Sequence, residues 1–290
     1  MEELLMNSRL RDAARYFLFF LRGHPVAMLG FGLLSLQILV IVLAPLIATH
    51  PPELAISEDF LQPPNQVHWL GTDNSGMDIY SRVIYGARTD LTVAVTGVLL
   101  AMLIGCPLGA IVGYYRGWIV EAIMRLMDFL QSFPIFILAM ALVSVTAQQM
   151  SNVIYVISFL NIPIFVRLMR AEILSLRESE FVEAAQCVGN SDARIIFKHL
   201  LPNAMGSAFA QASISIGWAI LITAGLSFIG AGLKIPAAEW GLMISIGSQN
   251  MVTGQWWPSF FPGMAIMISV LSFALVGDAL QKIYDPTKRR

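Results

Sequence analysis

The chain alternates between long apolar stretches and short charged joints. Asp, Glu, Lys and Arg are absent from residues 23–52, 91–115, 129–166, 199–233 and 240–277. A helix crosses ~30 Å of hydrocarbon with about 20 apolar residues, so these intervals predict spans. They are placed near 26–48, 91–115, 126–147, 150–170, 204–233 and 258–278. The 129–166 interval is too long for one crossing, and its polar break "TAQQMSN" at 146–152 predicts a tight turn between the third and fourth spans. The fourth span is expected to run past Pro163 to the interface, where Arg167 and Arg170 can reach water. Trp256 and Trp257 suit the boundary before the sixth. A membrane barrel would need short segments of alternating polarity. The unbroken runs instead predict an all-α integral membrane fold of six transmembrane helices.

Composition agrees: 57% of residues are hydrophobic and 13% charged, against about 25% charged in soluble domains. Charge then sets an expected orientation. Fifteen of the 18 Lys and Arg residues fall on the N-terminus, the 116–125 turn, the 167–203 segment and the C-terminal tail. The other side holds Arg82, Arg88 and Lys234 against Glu53, Glu58, Asp59, Asp73, Asp78, Asp90 and Glu239. Basic loops stay cytosolic, so both termini are expected inside. Residues 1–25 then form a cytosolic N-terminal segment and residues 26–290 a transmembrane domain, with acidic external loops at 49–90 and 234–257. No cleavable leader is expected, since Arg9, Arg11, Arg15 and Arg22 lead straight into a full-length span.

Several chemistries find no support. The spans lack the mid-membrane ionisable residues of a proton relay; Asp128 and Asp278 sit at expected cytosolic ends. None of the four lysines follows a glycine, so there is no phosphate-binding loop of the Gly-Lys-Ser/Thr type. His24, His50, His68 and His199 are scattered along the chain, and no metal is expected. Asp73 and Asp78 do not fit the spacing of a calcium loop. Cys106 and Cys187 read as packing residues rather than a disulfide. The chain reads as having no energy source of its own. A partner that hydrolyses ATP would need a cytosolic handle.

Residues 177–203 supply one. Phe181, Ala184, Ala185, Val188, Ile195, Ile196 and His199 recur at helical steps. Gly189 can end one helix, Ser191 or Asp192 can cap the next, and Pro202 marks the entry to the fifth span. Between 167 and 203 five bases balance five acids. Anionic lipid or nucleic acid would select a strongly basic segment. A neutral, mildly amphipathic helix pair suits a groove on another protein. A passive channel or an ion-coupled carrier is the alternative class.

At these residues the chain resembles the ABC importer permeases. Glu183-Ala184-Ala185, Gly189 and Leu201-Pro202 are similar to their "EAA…G…LP" signature, with His199 in place of a common isoleucine. "HWLGTDNSGMDIYSRVIYGAR" at 68–88 resembles the "GTDxxGRDxxSRxxYGxR" element of the dipeptide, oligopeptide, nickel and glutathione branch, through Gly71, Thr72, Asp73, Gly76, Asp78 and Arg82. "LSFIGAGLKIPAAEWGLMI" at 226–244 and "LVGDALQKIYDP" at 275–286 also match. Met77 departs from a usual arginine and Arg116 from a small residue. The resemblance implies the type I importer permease fold with N-in/C-in topology in a bacterial cytoplasmic (inner) membrane. It implies a second permease, two ATPases contacted by Glu183, Ala184, Ala185, Gly189, Leu201 and Pro202, and an extracytoplasmic solute-binding protein. ATP and Mg would belong to the ATPases. No cofactor, catalytic residue or nucleic-acid partner is expected on this chain.

Two further expectations come from the residues. Ala204, Ala208 and Ala212, and likewise Ser213 and Gly217, lie four apart, which lets helices approach closely. This predicts the fifth span at the permease–permease contact, with Gln211, Ser213 and Ser215 on the wall of the path. Thr72 or Asp73 could cap a helix through 76–88 lying along the outer surface. Lys288, Arg289 and Arg290 read as topology markers beside lipid headgroups.

Overall fold

A computed structural model describes residues 19–145 and 149–284. Arg9, Arg11, Arg15, residues 146–148 of the expected turn and the tail from Asp285 to Arg290 lie outside the described residues. The described chain is built from helices α1 (Pro25–Ile47), α2 (Ile79–Tyr114), α3 (Trp118–Ser132), α4 (Ile135–Val145), α5 (Met150–Leu176), α6 (Glu180–Cys187), α7 (Asp192–Phe228), α8 (Trp240–Ser248) and α9 (Trp257–Tyr284). Five of them, α1, α2, α5, α7 and α9, are long and apolar enough to cross a membrane.

The third expected span differs. Over 118–145 the chain forms two helices, α3 and α4, that meet at 94°. Pro134 explains the bend: it disfavours helical geometry in the residue before it, and Phe133 is extended at φ −80°, ψ 140°. The second span is longer than expected. It starts at Ile79 rather than near 91, because the Asp78 carboxylate caps it by accepting the Ser81 amide at 2.8 Å. The surface helix expected over 76–88, capped by Thr72 or Asp73, is therefore the buried first turns of α2. Ile79, Arg82, Ile84 and Ala87 are all enclosed there.

Pro202 does not open a new helix either. Helix α7 runs through it, and residues Ile195–Leu200 widen into a π turn just before it. In that turn the Leu201 amide reaches Ile196 O, five residues back. Proline lacks a donor and crowds the carbonyl four residues back, and a locally widened turn accommodates both defects. The expected second handle helix is thus the first two turns of α7.

The tightest packing joins α2 to α5. Gly97, Ala101, Gly105, Gly109 and Gly113 recur every four residues along α2. A methyl group added at Gly97 would lie 2.8 Å from Ile157 Cγ2, at Gly105 2.7 Å from Phe165 Cβ, and at Gly109 2.6 Å from Val166 O. Lipid tails are as apolar as leucine, so helices in a bilayer are held by such close contact rather than by a drive out of solvent. Helix α9 lies against α7, where Ser213 Oγ donates to Phe273 O at 2.7 Å. Helix α1 is peripheral; its contact with α9 includes Gln37 Nε2 donating to Ser272 Oγ at 3.0 Å. Ala204, Ala208 and Ala212 are buried inside the chain itself, so this small face of α7 packs within the chain.

The bundle has two distinct ends. Residues 48–78 and the α7–α8 connection meet around Arg82; the 177–191 segment meets the far end of α2 at Tyr114. Gly109→Leu is expected to destabilise the chain by about 1–3 kcal/mol through overpacking, read as a lower midpoint in detergent unfolding. Gly32→Leu, where nothing lies within 4 Å of the added carbon, is expected to leave that midpoint unchanged.

Candidate functional site

Helix α6 is short, and one residue anchors it: Val182 is buried, in the same apolar cluster as Ile195, Ile196 and Leu200. Its other face is open. Glu183 and Ala184 are exposed, Ala185 half-buried, and the large apolar side chains of Phe181 and Val188 stand free at 41% and 83% exposure. Gly189 closes the helix at φ +82°, a left-handed conformation that side chains disfavour. Its amide reaches Gln186 O at 2.9 Å, and Asn190 donates twice to Ala185 O, from its backbone at 3.2 Å and its side chain at 3.0 Å. Ser191 takes the expected N-cap position with extended backbone, but its side chain makes no cap hydrogen bond. The Asp192 carboxylate instead accepts the Tyr114 hydroxyl at 2.9 Å.

Tyr114 is the residue that sequence reading passed over. Its hydroxyl also accepts Gln186 Nε2 at 3.4 Å, and its carbonyl accepts Arg177 Nη1 at 3.1 Å. The last turn of α2 therefore grips α5, α6 and α7 together. Leu201 is half-buried and Pro202 exposed; Pro202 borders a depression of about 620 Å³ lined also by Asn203, Gly206, Asp278 and Lys282.

The residues expected to line a path do not stay together. Gln211 donates to Ser215 Oγ at 3.2 Å, and both face a cavity of about 360 Å³ with Asn161 and Trp218. Ser213 points the other way, into α9. Asn161, one residue inside a charge-free run, carries no sequence signal beyond its amide.

At the opposite end, Gly71, Thr72, Asp73, Gly76, Asp78 and Arg82 form one enclosed structure. Arg82 is fully buried and donates to Pro52 O at 2.8 Å, Pro236 O at 3.2 Å and Ala237 O at 3.1 Å. Its Nε lies 3.7 Å from Asp73 Oδ2. The other Asp73 oxygen accepts the Ser75 and Met77 amides at 2.8 and 3.0 Å. Met77 packs against the guanidinium: its sulfur lies 2.7 Å from Arg82 Nη1. Thr72 Oγ1 donates to Asp59 O and accepts the Gln62 amide, and Trp257 Nε1 donates to Thr72 O at 3.1 Å. A side chain on Gly76 would meet Ile56 O at 1.8 Å.

Burial changes the charge picture of this end. Asp73, Asp78, Asp90 and Glu239 are buried, so four of the seven acids assigned to an acidic outer surface do not face solvent. Asp90 accepts the Trp240 amide at 3.0 Å, and Glu239 caps α8 through Gly241 and Leu242. Burial pushes the Glu239 carboxyl above the usual carboxylate range. The histidines are not all scattered: the His50 and His68 rings lie against each other, tilted by 33° with centroids 4.6 Å apart.

Comparison with known proteins follows this division. Residues 105–290 match the family "Binding-protein-dependent transport system inner membrane component", and residues 8–64 match the N-terminal transmembrane domain of oligopeptide transport permease C. The chain is 39% identical over 266 residues to a dipeptide transport system permease protein of Alkalihalophilus pseudofirmus, covering 92% of this chain and 87% of that one. It is 37% identical to a probable D,D-dipeptide transport system permease protein of Escherichia coli, covering 92% of this chain and 89% of that one. It is also 37% identical to a glutathione transport system permease protein of Pectobacterium atrosepticum, covering 92% and 88%.

Arg82→Met is expected to cost about 3–5 kcal/mol, the loss that follows when one partner of a buried charged network is removed. The readouts are a lower unfolding midpoint and faster proteolysis within 49–78. A variant as stable and as resistant as the parent would show that Arg82 does not hold this end.

Proposed function

The chain belongs to the family of binding-protein-dependent transport system inner membrane components, and on that premise we propose that it is one permease subunit of an ATP-driven importer of di- or oligopeptides or a related small solute. It forms the translocation path with a second permease. Two cytosolic ATPases drive it, a solute-binding protein delivers cargo from outside, and hydrolysis takes place on the ATPases. The chain itself performs no catalysis. The peptide class rests on the names of the relatives.

The observation that carries this reading is the build of α6. Phe181 and Val188 are apolar and exposed, while Val182 and the Tyr114 contacts fix the helix to the bundle. An exposed apolar pair on a short, firmly mounted helix suits a groove on a partner. On the charge asymmetry we read this end, and both termini, as cytosolic. The Arg82 end then faces outward, where a binding protein docks.

Mechanically, α6 cannot move alone. A displacement imposed on Glu180–Cys187 passes through Gln186 and Asp192 to Tyr114 and hence to α2, and through the turn at Gly189 to α7. The Asn161–Gln211–Ser215 cavity is lined by α4, α5 and α7, and α2 reaches it through its close packing on α5. Rocking of packed helices as bodies, rather than bending, then opens the cavity to one side or the other.

Glu183→Arg and Gly189→Trp test the docking. Both positions are exposed, and nothing lies within 4 Å of a carbon added at Gly189. Glu183→Arg is expected at normal levels in the membrane, and Gly189→Trp, whose side chain must take the φ +82° backbone, is read with its membrane level measured beside uptake. Uptake is expected to fall roughly thirty-fold or more, as when an interface contact worth about 2 kcal/mol is lost, and ATPase subunits are expected not to co-purify. Normal uptake by both variants would remove the docking reading.

A further inference from the structure

Three polar side chains at the outer end converge without serving the coupling function. His50 follows the end of α1, His68 lies in the 48–78 connection, and Asp78 caps α2. One ligand atom from each lies within 4.8 Å of the others. His68 Nδ1 is 2.9 Å from Asp78 Oδ1, and His50 Nδ1 is 3.8 Å from the same oxygen. In a tetrahedral site with bonds of about 2.0–2.1 Å, neighbouring ligand atoms stand about 3.4 Å apart. The two distances bracket that value, so a small turn of the His50 ring completes the set.

The surroundings are those of a metal centre. Asp78 divides its carboxylate: Oδ2 accepts the Ser81 amide at 2.8 Å, which leaves Oδ1 for the cluster. His68 is buried, and its far nitrogen, Nε2, lies 3.5 Å from Asp59 Oδ2. In metal centres a carboxylate beside the second ring nitrogen orients the ligand histidine and raises its basicity, and Asp59 stands on that side of His68. His50 keeps 29% of its side chain exposed, which gives an entry path and an open fourth position.

We propose that His50, His68 and Asp78 bind a divalent transition ion of the zinc class, with Asp59 orienting His68. Two imidazoles and one carboxylate select zinc, cobalt, nickel or copper over calcium and magnesium, which take oxygen ligands. Metal binding takes the deprotonated form of each ligand, and any proton on His68 Nδ1 leaves to solvent. Bound there, the ion clasps the end of α1 and the 48–78 connection to the first turn of α2. The site is independent of the ATPase contact.

The test uses the full-length chain purified through a tag without histidine and stripped with chelator. Cobalt(II) is titrated and its visible bands are followed; zinc is then added as competitor. One saturating equivalent with four-coordinate bands, displaced by zinc, is expected. His50→Ala, at a partly exposed position, is expected to abolish it. Asp59→Asn is expected to weaken binding about 10–100-fold. Saturating zinc is expected to raise the melting temperature of the parent and not of His50→Ala. No saturating equivalent in the parent, or an equivalent that survives His50→Ala, overturns the proposal.

Discussion

The glycine face of α2 is the constraint on which the rest depends. Helix α2 spans Ile79–Tyr114, and its contact with α5 tolerates no side chain larger than that of Ala101 along four turns. Because the two backbones touch, α2 cannot slide or bend against α5 without steric collision. It therefore acts as a rod. One end carries Asp78 and Arg82, which organise the outer connections. The other carries Tyr114, which holds α6 and the start of α7. A single helix joins the two places where partners are proposed to act.

This arrangement explains why so little of the membrane-spanning part is charged. In lipid, helices gain nothing from being apolar and must fit. Charged groups gather near the ends, while polar side chains inside the bundle join helices, as Gln37 does with Ser272 and Ser213 with Phe273 O, or face the small cavity of Asn161, Gln211 and Ser215. A short exposed helix then suffices as a handle, because force applied to it meets a stiff body. Bistable rocking of such bodies fits alternating access better than elastic deformation does.

Much of this was legible in the chain. Charge-free intervals located α1, α5 and α9, because a bilayer penalises unpaired charge over the whole width of a span. The same criterion misplaced the start of α2. Arg82 was read as part of a surface helix and Asp90 as a loop residue, yet both lie within α2, where the carbonyls of Pro52, Pro236 and Ala237 accept from Arg82 and the amide of Trp240 donates to Asp90. Pro134 carried a readable signal, and its bend split the third span. Pro202 carried the same signal with the opposite outcome, since a π turn absorbed it. Gly189 as a helix end was readable because left-handed backbone selects glycine. Contacts between residues far apart in sequence were not readable: Tyr114 with Asp192, and His50 with His68, have no local pattern to betray them.

The central claim is that α6 is the surface on which an ATPase seats. Cys187 ends that helix and is exposed, whereas Cys106 is buried in α2, so a thiol reagent reports on one position. Labelling of Cys187 by a membrane-impermeant maleimide should succeed in inverted vesicles, fail in right-side-out cells, and be suppressed when the cognate ATPases are assembled. Labelling that proceeds equally with and without the ATPases would contradict the account.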